Sequence, residues 1–237
     1  MTLTTTGVHW TQFPASALTD HQGLPLNWAD HSSAHKAVSR LFPAQLPGEA
    51  GARRAEAGIL YRIDTLQGVP TVLIQSRVAP ALAPIGARSV ELSERAWTFR
   101  AGDRIAFRVA VNPISRTTRY YEDDAKKTPT TWSNEAGHQG QSRIKAHAKR
   151  TARVVPADEV GDWLSERLGA ALTDVQIMDH RRDKTGSGPH RLAVDTIDAV
   201  AIVSDPAEFD RLRSEGVGRS KSYGCGLLTA RRLAEPE

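Results

Sequence analysis

Residues 192–233 read LAVDTIDAVAIVSDPAEFDRLRSEGVGRSKSYGCGLLTARRL. The run 192–203 is rich in Val, Ile and Thr and predicts a strand. Residues 205–214 predict a helix that turns Phe209 and Leu212 inward. The next eleven residues, 216–226, hold four glycines, Arg219 and Lys221. Leu227 and Leu228 then open a closing strand, 227–233.

Working back from this stretch, residues 172–180 predict the strand that precedes 192–203. Between them, 180–191 carries Thr185-Gly186-Ser187-Gly188-Pro189, a hairpin tip. Residues 156–168 place Val160, Trp163, Leu164 and Leu168 at helical spacing, with Pro156-Ala157-Asp158 at the start. Residues 146–155 predict a basic strand. The order is β-α-β-β-α-β, the split βαβ or ferredoxin-like unit.

The N-terminal half begins the same way. Residues 3–13 are Thr-rich and predict a strand, and 19–25 a loop. Asp30 or Ser32 can cap a helix that Pro43 stops after Leu41. Ala34, Ala37, Val38 and Leu41 share one face of it, and His35 lies beside that face. Residues 56–65 and 71–75 predict a hairpin joined through Gly68 and Pro70. Residues 78–87 are irregular, and 105–111 alternate as a strand before Asn112-Pro113. Residues 115–141 are polar with little periodicity and read as a long excursion or partner-binding loop. The expected fold class is α+β, with two tandem ferredoxin-like (RRM-like) βαββαβ domains. Residues 1–112 form the first and 113–237 the second, which carries the basic hairpin and the Gly-rich loop.

The chain has 237 residues, 40% hydrophobic and 24% charged, as an ordinary globular fold requires. It has no apolar run of membrane-spanning length and no secretory n-region and h-region, so a cytoplasmic location without membrane contact is expected. Cys225 is the single cysteine, which excludes an internal disulfide and a cysteine-based zinc cluster. Net charge is +4, but basic residues concentrate in the C-terminal half. Residues 143–153 hold five Lys or Arg and no acid, and 180–191 hold four with one Asp. Three basic segments in one half, one of them glycine-rich, point to nucleic acid.

The segment 216–226 can lay backbone N–H groups and two cations along a phosphate. It is not a Walker loop, because Ser220 precedes Lys221 where a glycine is needed. It is not a dinucleotide fingerprint, because no helix-forming run follows. A polymeric phosphate, or a simple turn between helix and strand, remains. Paired-carboxylate, H-E-x-x-H and G-x-S-x-G motifs are missing. His31 and His35 stand four apart, yet lack the glutamate and third ligand of a zinc site, so no metal and no cofactor is expected.

Gly216-Val217-Gly218-Arg219-Ser220-Lys221-Ser222-Tyr223-Gly224-Cys225-Gly226-Leu227-Leu228 resembles the C-terminal glycine-rich motif of the CasE family, the CRISPR repeat-processing endoribonucleases of type I-E. Ala34-His35-Lys36-Ala37-Val38-Ser39-Arg40-Leu41-Phe42-Pro43 is similar to the family's histidine helix. Phe107-Arg108-Val109-Ala110-Val111-Asn112-Pro113 is similar to its R-x-x-A-N-P strand end. The three matches fall in the family's order and span most of the chain.

The resemblance implies tandem ferredoxin-like domains and a metal-independent endoribonuclease that attacks through the RNA's own 2′-OH. Its products would be a 2′,3′-cyclic phosphate and a 5′-OH. His35 stands where the family has its catalytic histidine, and imidazole can act as general acid or base near neutral pH. Arg40, five residues on, is a candidate phosphate contact, whereas Lys36 points about 100° away. Ser32, the third candidate catalytic residue, occupies the position where members often carry tyrosine, so either cleavage would be slower or Tyr223 or a water would substitute in any tyrosine-assisted proton transfer.

The implied partners are a CRISPR repeat RNA, the crRNA stem-loop it yields, and the other subunits of a Cascade-type complex. Arg181, Arg182, Lys184 and Arg191 would probe the stem. Gly216, Gly218, Arg219, Lys221, Ser222, Gly224 and Gly226 would grip the strand near the cut. Lys145, Lys149, Arg150 and Arg153 would add backbone contacts. The alternatives are a non-catalytic RNA-hairpin-binding subunit and a metal-dependent hydrolase built on His31 and His35.

Overall fold

A computed structural model of the chain describes residues 7–20, 22–28, 30–46, 48, 49, 52–86, 89–92, 98–121, 131–133, 139–141, 147–185 and 192–234. Two four-stranded antiparallel sheets organise residues up to 113 and from 156 onward, which form one compact unit. The first sheet has β1 (Val8–Pro14), β2 (Leu60–Leu66), β3 (Val69–Ser76) and β4 (Ser89–Leu92), in the order β2-β3-β1-β4. Helices α1 (His31–Ser39) and α2 (Arg53–Glu56) lie between β1 and β2 in the chain. Among its described residues, the crossover from β3 to β4 carries a single 3-10 turn, Ala83–Ile85.

The second sheet begins with β5 (Arg104–Val111), the strand that the sequence reading placed at the end of the first domain. After β5 come β6 (Ile114–Tyr121), β7 (Thr131–Ser133), β8 (Gln139–Gln141) and β9 (His147–Val154). Next are α3 (Val160–Leu168), β10 (Leu172–Thr185), β11 (Leu192–Val203), α4 (Pro206–Glu215) and β12 (Leu228–Arg232). The sheet order is β10-β11-β5-β12. Taken in chain order, both sheets follow the same 2-3-1-4 pattern, so both halves are ferredoxin-like and the fold is α+β.

Residues 114–155 make a compact unit of their own, in which β6 pairs with β9 and β7 with β8. The basic strand 147–154 therefore belongs to an insertion between β5 and α3. Its sequence suits the opening strand of the second domain, but 104–111 occupies that position.

Alternation along β2 and β3 explains how the first sheet is used on both faces. Tyr61, Val72 and Ile74 join Phe13, Ala34, Val38 and Leu41 in the core under α1. Leu60 and Leu73 point the other way and pack on Leu227, just before β12. Arg62 and Asp64 share that second face and are buried. The Arg62 guanidinium grips both Asp64 carboxylate oxygens at 2.7 and 2.8 Å. It also donates to the carbonyls of Arg108 and Leu227 and to Thr229 Oγ1. One side chain thus ties β2 to β5 and to the start of β12. Gln75 adds a second tie, donating from Nε2 to the Arg213 carbonyl at 2.8 Å. These ties bring α1 and the glycine stretch to the same edge of the unit, where α1 meets the 3-10 turn Lys221–Tyr223.

Candidate active site

Helix α1 starts where Asp30 caps it. Its carboxylate accepts from the Ser32 amide at 3.0 Å and from Ser33 Oγ at 2.5 Å. Ala34, Ala37 and Val38 are buried, which fixes the helix rotation and leaves His31 and His35 half-buried, one turn apart. Both rings meet Tyr223 edge-on, with centroids 6.3 Å and 6.1 Å from its ring.

The turn that presents Tyr223 is held by its backbone. The Val217 amide donates to the Gly226 carbonyl at 2.9 Å, and the Gly226 amide to the Ala110 carbonyl at 2.6 Å. Ser220 adopts φ 59°, and its Oγ accepts from Asn112 Nδ2 at 2.8 Å. The strand-end asparagine therefore anchors the glycine stretch from β5. Gly216 and Gly226 are structural requirements: both have positive φ, and a Cβ on either would come within about 3 Å of backbone or Leu60 atoms.

Burial is the largest influence on His35, and the Arg54 charge adds to it. Together with Lys36 they hold the imidazole below its ordinary value against the pull of the Ser222 carbonyl. His31 is lowered by burial alone, while the Tyr223 carbonyl and the Asp30 carboxylate draw it back up. His35 Nδ1 has no hydrogen-bond partner among the described residues. Arg54 donates from Nη1 to Ser39 Oγ at 3.2 Å, and its buried Nε and Nη2 find no partner among the described residues. The Ser222 carbonyl also accepts from the Tyr61 hydroxyl at 3.2 Å.

Two hollows flank this turn. One of about 510 Å³ is lined by Arg54, Arg77, Lys221 and Ser222, with Glu56 and Glu215 also present. The other, about 340 Å³, is lined by Trp28, His31, Arg181, Asp183, Tyr223 and Gly224. The arrangement offers two half-buried imidazoles beside a backbone turn, with cations on the His35 side. That is equipment for moving protons next to an anionic group.

A model of the CRISPR associated protein family matches residues 17–232. The chain belongs to that family. No curated protein matches it in sequence. Among solved structures it is similar to Cas6e from Escherichia coli K-12, at 20% identity and TM-score 0.54, over 95% of this chain and 100% of that one. It is similar to Thermus thermophilus Cse3 bound to an RNA representing a pre-cleavage complex, at 20% identity and TM-score 0.56, over 95% and 99%. A chain of a CRISPR RNA-guided surveillance complex matches at 17% identity and TM-score 0.57, over 95% and 100%. At these identities the likeness establishes the fold, which this member of the family shares along nearly its whole length.

Of the residues singled out in the sequence, His35, Lys221, Ser222 and Gly224 converge around Tyr223 and the two hollows. Ser32 is exposed on the first turn of α1. Arg40 is exposed and donates to the Thr19 carbonyl at 2.5 Å, while Arg54 is the arginine whose charge acts on His35. Arg219 is exposed and Gly218 half-buried. Arg181 pairs with Asp183 at 3.0 Å. Arg182 is committed to the buried Asp195 carboxylate through two contacts of 2.7 Å. Arg153 is exposed on β9. Lys145 and Arg191 lie outside the described residues, as do the side chains of Lys149, Arg150 and Lys184. The sequence reading missed Arg54 and Arg62. Arg54 sits in a four-residue helix too short for a periodic signal. No three His, Cys, Asp or Glu among the described residues group to hold a metal. Among the described residues no helix is long and apolar enough to cross a membrane.

Proposed function

We propose that this protein is a metal-independent endoribonuclease that cuts CRISPR precursor RNA within its repeat stem-loops. It then stays on the 3′ hairpin of the crRNA as a subunit of a Cascade-type complex. The observation that carries the reading is His35, half-buried on α1 against Tyr223 of the glycine-rich turn, with Arg54 acting on it. Support comes from the relatives: one is named an endoribonuclease bound to RNA, and another belongs to an RNA-guided surveillance complex.

The chemistry follows from the residues. The 2′-OH next to the scissile phosphate attacks phosphorus, and His35 serves as proton acceptor or donor. The five-coordinate transition state carries added negative charge on its non-bridging oxygens. Arg54 and Lys221, on the hollow beside His35, are the cations positioned to stabilise it. Burial of Lys221 leaves its charge less screened than a surface lysine's. Arg40 acts from the far end of α1 once it leaves the Thr19 carbonyl. Arg219 and Arg181 supply exposed charge for the RNA backbone.

The test is incubation of repeat RNA with protein in EDTA. Cutting that leaves a 2′,3′-cyclic phosphate, and that a 2′-deoxy nucleotide at the cut blocks without weakening binding, supports the reading. An absolute need for a divalent ion defeats it. Tight binding with no cutting by wild type favours the hairpin-binding subunit instead.

A further inference from the structure

We propose that His31 is the second proton-transfer group of the site, donating to the departing 5′-oxygen while His35 takes the proton of the 2′-OH. The inference rests on the endoribonuclease reading and adds a residue to it. In-line displacement puts the attacking and leaving oxygens on opposite sides of phosphorus, so one imidazole cannot serve both. The structure supplies two, four residues apart on one helix and at matching distances of 6.3 and 6.1 Å from the Tyr223 ring. His31 lines the 340 Å³ hollow, while Arg54 and Ser222, on the His35 side, line the 510 Å³ one. An RNA strand running from one hollow to the other passes both rings.

The other hydroxyls nearby are poorer donors. A phenol is intrinsically a weaker acid than imidazolium. The Ser32 hydroxyl does not titrate in the working range.

The charges around each ring assign the roles. His31 faces Asp30, and also Arg62, Arg181 and Asp183 across its hollow. Arg62 is matched by Asp64 and Arg181 by Asp183, so the Asp30 carboxylate is the charge that favours a proton on His31. The helix N-terminus opposes it, and the Tyr223 carbonyl assists. His35 faces Arg54 and Lys36, both positive, with the phenols of Tyr61 and Tyr223 on the turn side. It is therefore the ring kept neutral and ready to accept. In the step, the 2′-O–P bond forms and the P–O5′ bond breaks. One proton goes to His35 and one leaves His31, and exchange with water resets the pair.

The test uses the full chain and two stem-loop RNAs of the organism's own repeat. One has the natural linkage at the mapped cut, the other sulfur in place of the bridging 5′-oxygen. A thiolate leaves without a proton. His31→Ala and His31→Gln are expected to cut the natural linkage about 100-fold or more slowly. They should cut the sulfur-bridged linkage within about threefold of wild type, whereas His35→Ala stays slow on both. The alkaline limb of the wild-type pH–rate profile should vanish in His31→Gln. Natural-linkage cutting by His31→Gln within about threefold of wild type overturns the inference. So does equal slowing on both linkages, which marks a structural role. Wild type inert on both RNAs removes the endoribonuclease reading itself, and the inference with it.

Discussion

Arg62 and Arg54 lie at opposite ends of one short segment, and the fold treats them in opposite ways. Arg62, inside β2, is buried and satisfied by Asp64, two carbonyls and a hydroxyl. Arg54, in α2, buries two nitrogens with no partner among the described residues and spends its third on Ser39. A buried guanidinium with a full set of acceptors builds structure. One left short of acceptors beside a histidine and a hollow holds charge in reserve for an anion. Under the proposed function, the contrast separates residues that assemble the site from those that would act in it.

The largest effect should come from breaking the satisfied member. Arg62→Ala leaves Asp64 buried without its counter-charge and strips donors from the Arg108 and Leu227 carbonyls. It should destabilise the protein by about 3–5 kcal/mol in urea unfolding. A loss below about 1 kcal/mol would mean that the two sheets do not depend on this tie. The reserve member should behave the other way. Arg54→Met removes a desolvated charge, so stability should hold within about 1 kcal/mol, while cleavage of repeat RNA falls about 10²-fold. Unchanged cleavage would remove Arg54 from the chemistry. Gly226→Ala comes next. At φ 91° its Cβ would sit 3.0 Å from the Val217 carbonyl oxygen, at an expected cost of about 1–3 kcal/mol. If the turn serves only to present Tyr223 and Ser222, the variant's residual cleavage should track its folded fraction.

The same contrast marks what could be read from the sequence. The glycine stretch, α3 and α4 were legible because Gly patterning and the 3.6-residue period are local signals. The start of α1 was legible for the same reason, as Asp30 or Ser32, of which Asp30 is the cap, while the helix ends at Ser39, short of the expected Leu41. The pairing of β5 was not. Residues 104–111 and 147–154 are equally strand-like, and only long-range register makes the first of them the head of the second sheet. Arg181 and Arg182 are neighbours in the sequence and look interchangeable. Register sets Arg182 opposite Asp195 and ties it there, while Arg181 stays exposed. Arg54 follows Arg53 in a segment without periodicity, so no local signal separates the arginine that acts on His35 from its neighbour.

The smallest effect is a pH dependence of stability, and it tests whether the histidines belong with the acting residues. Both His31 and His35 are held below 6.5 in the folded protein, chiefly by burial. In the unfolded chain they return to that ordinary value. Between the two values the unfolded state binds more protons, so stability rises with pH there. The contribution is complete above about pH 6.5 and is lost as pH falls through 6.5 toward the folded values. Carboxylates held low, such as Asp30 and Asp103, act only further into acid, so unfolding measured from pH 7.5 down to about 5.5 isolates the imidazoles. Replacing both by Gln should flatten that slope, and Arg54→Met should make it shallower by removing one cause of the His35 depression. Both rings are half-exposed, so solvent screening keeps the slope modest. A slope that survives the double replacement would assign the pH response to other groups. Binding of a non-cleavable 2′-deoxy repeat RNA should reverse its sign, because a bound phosphodiester favours the protonated ring that donation to the leaving group requires.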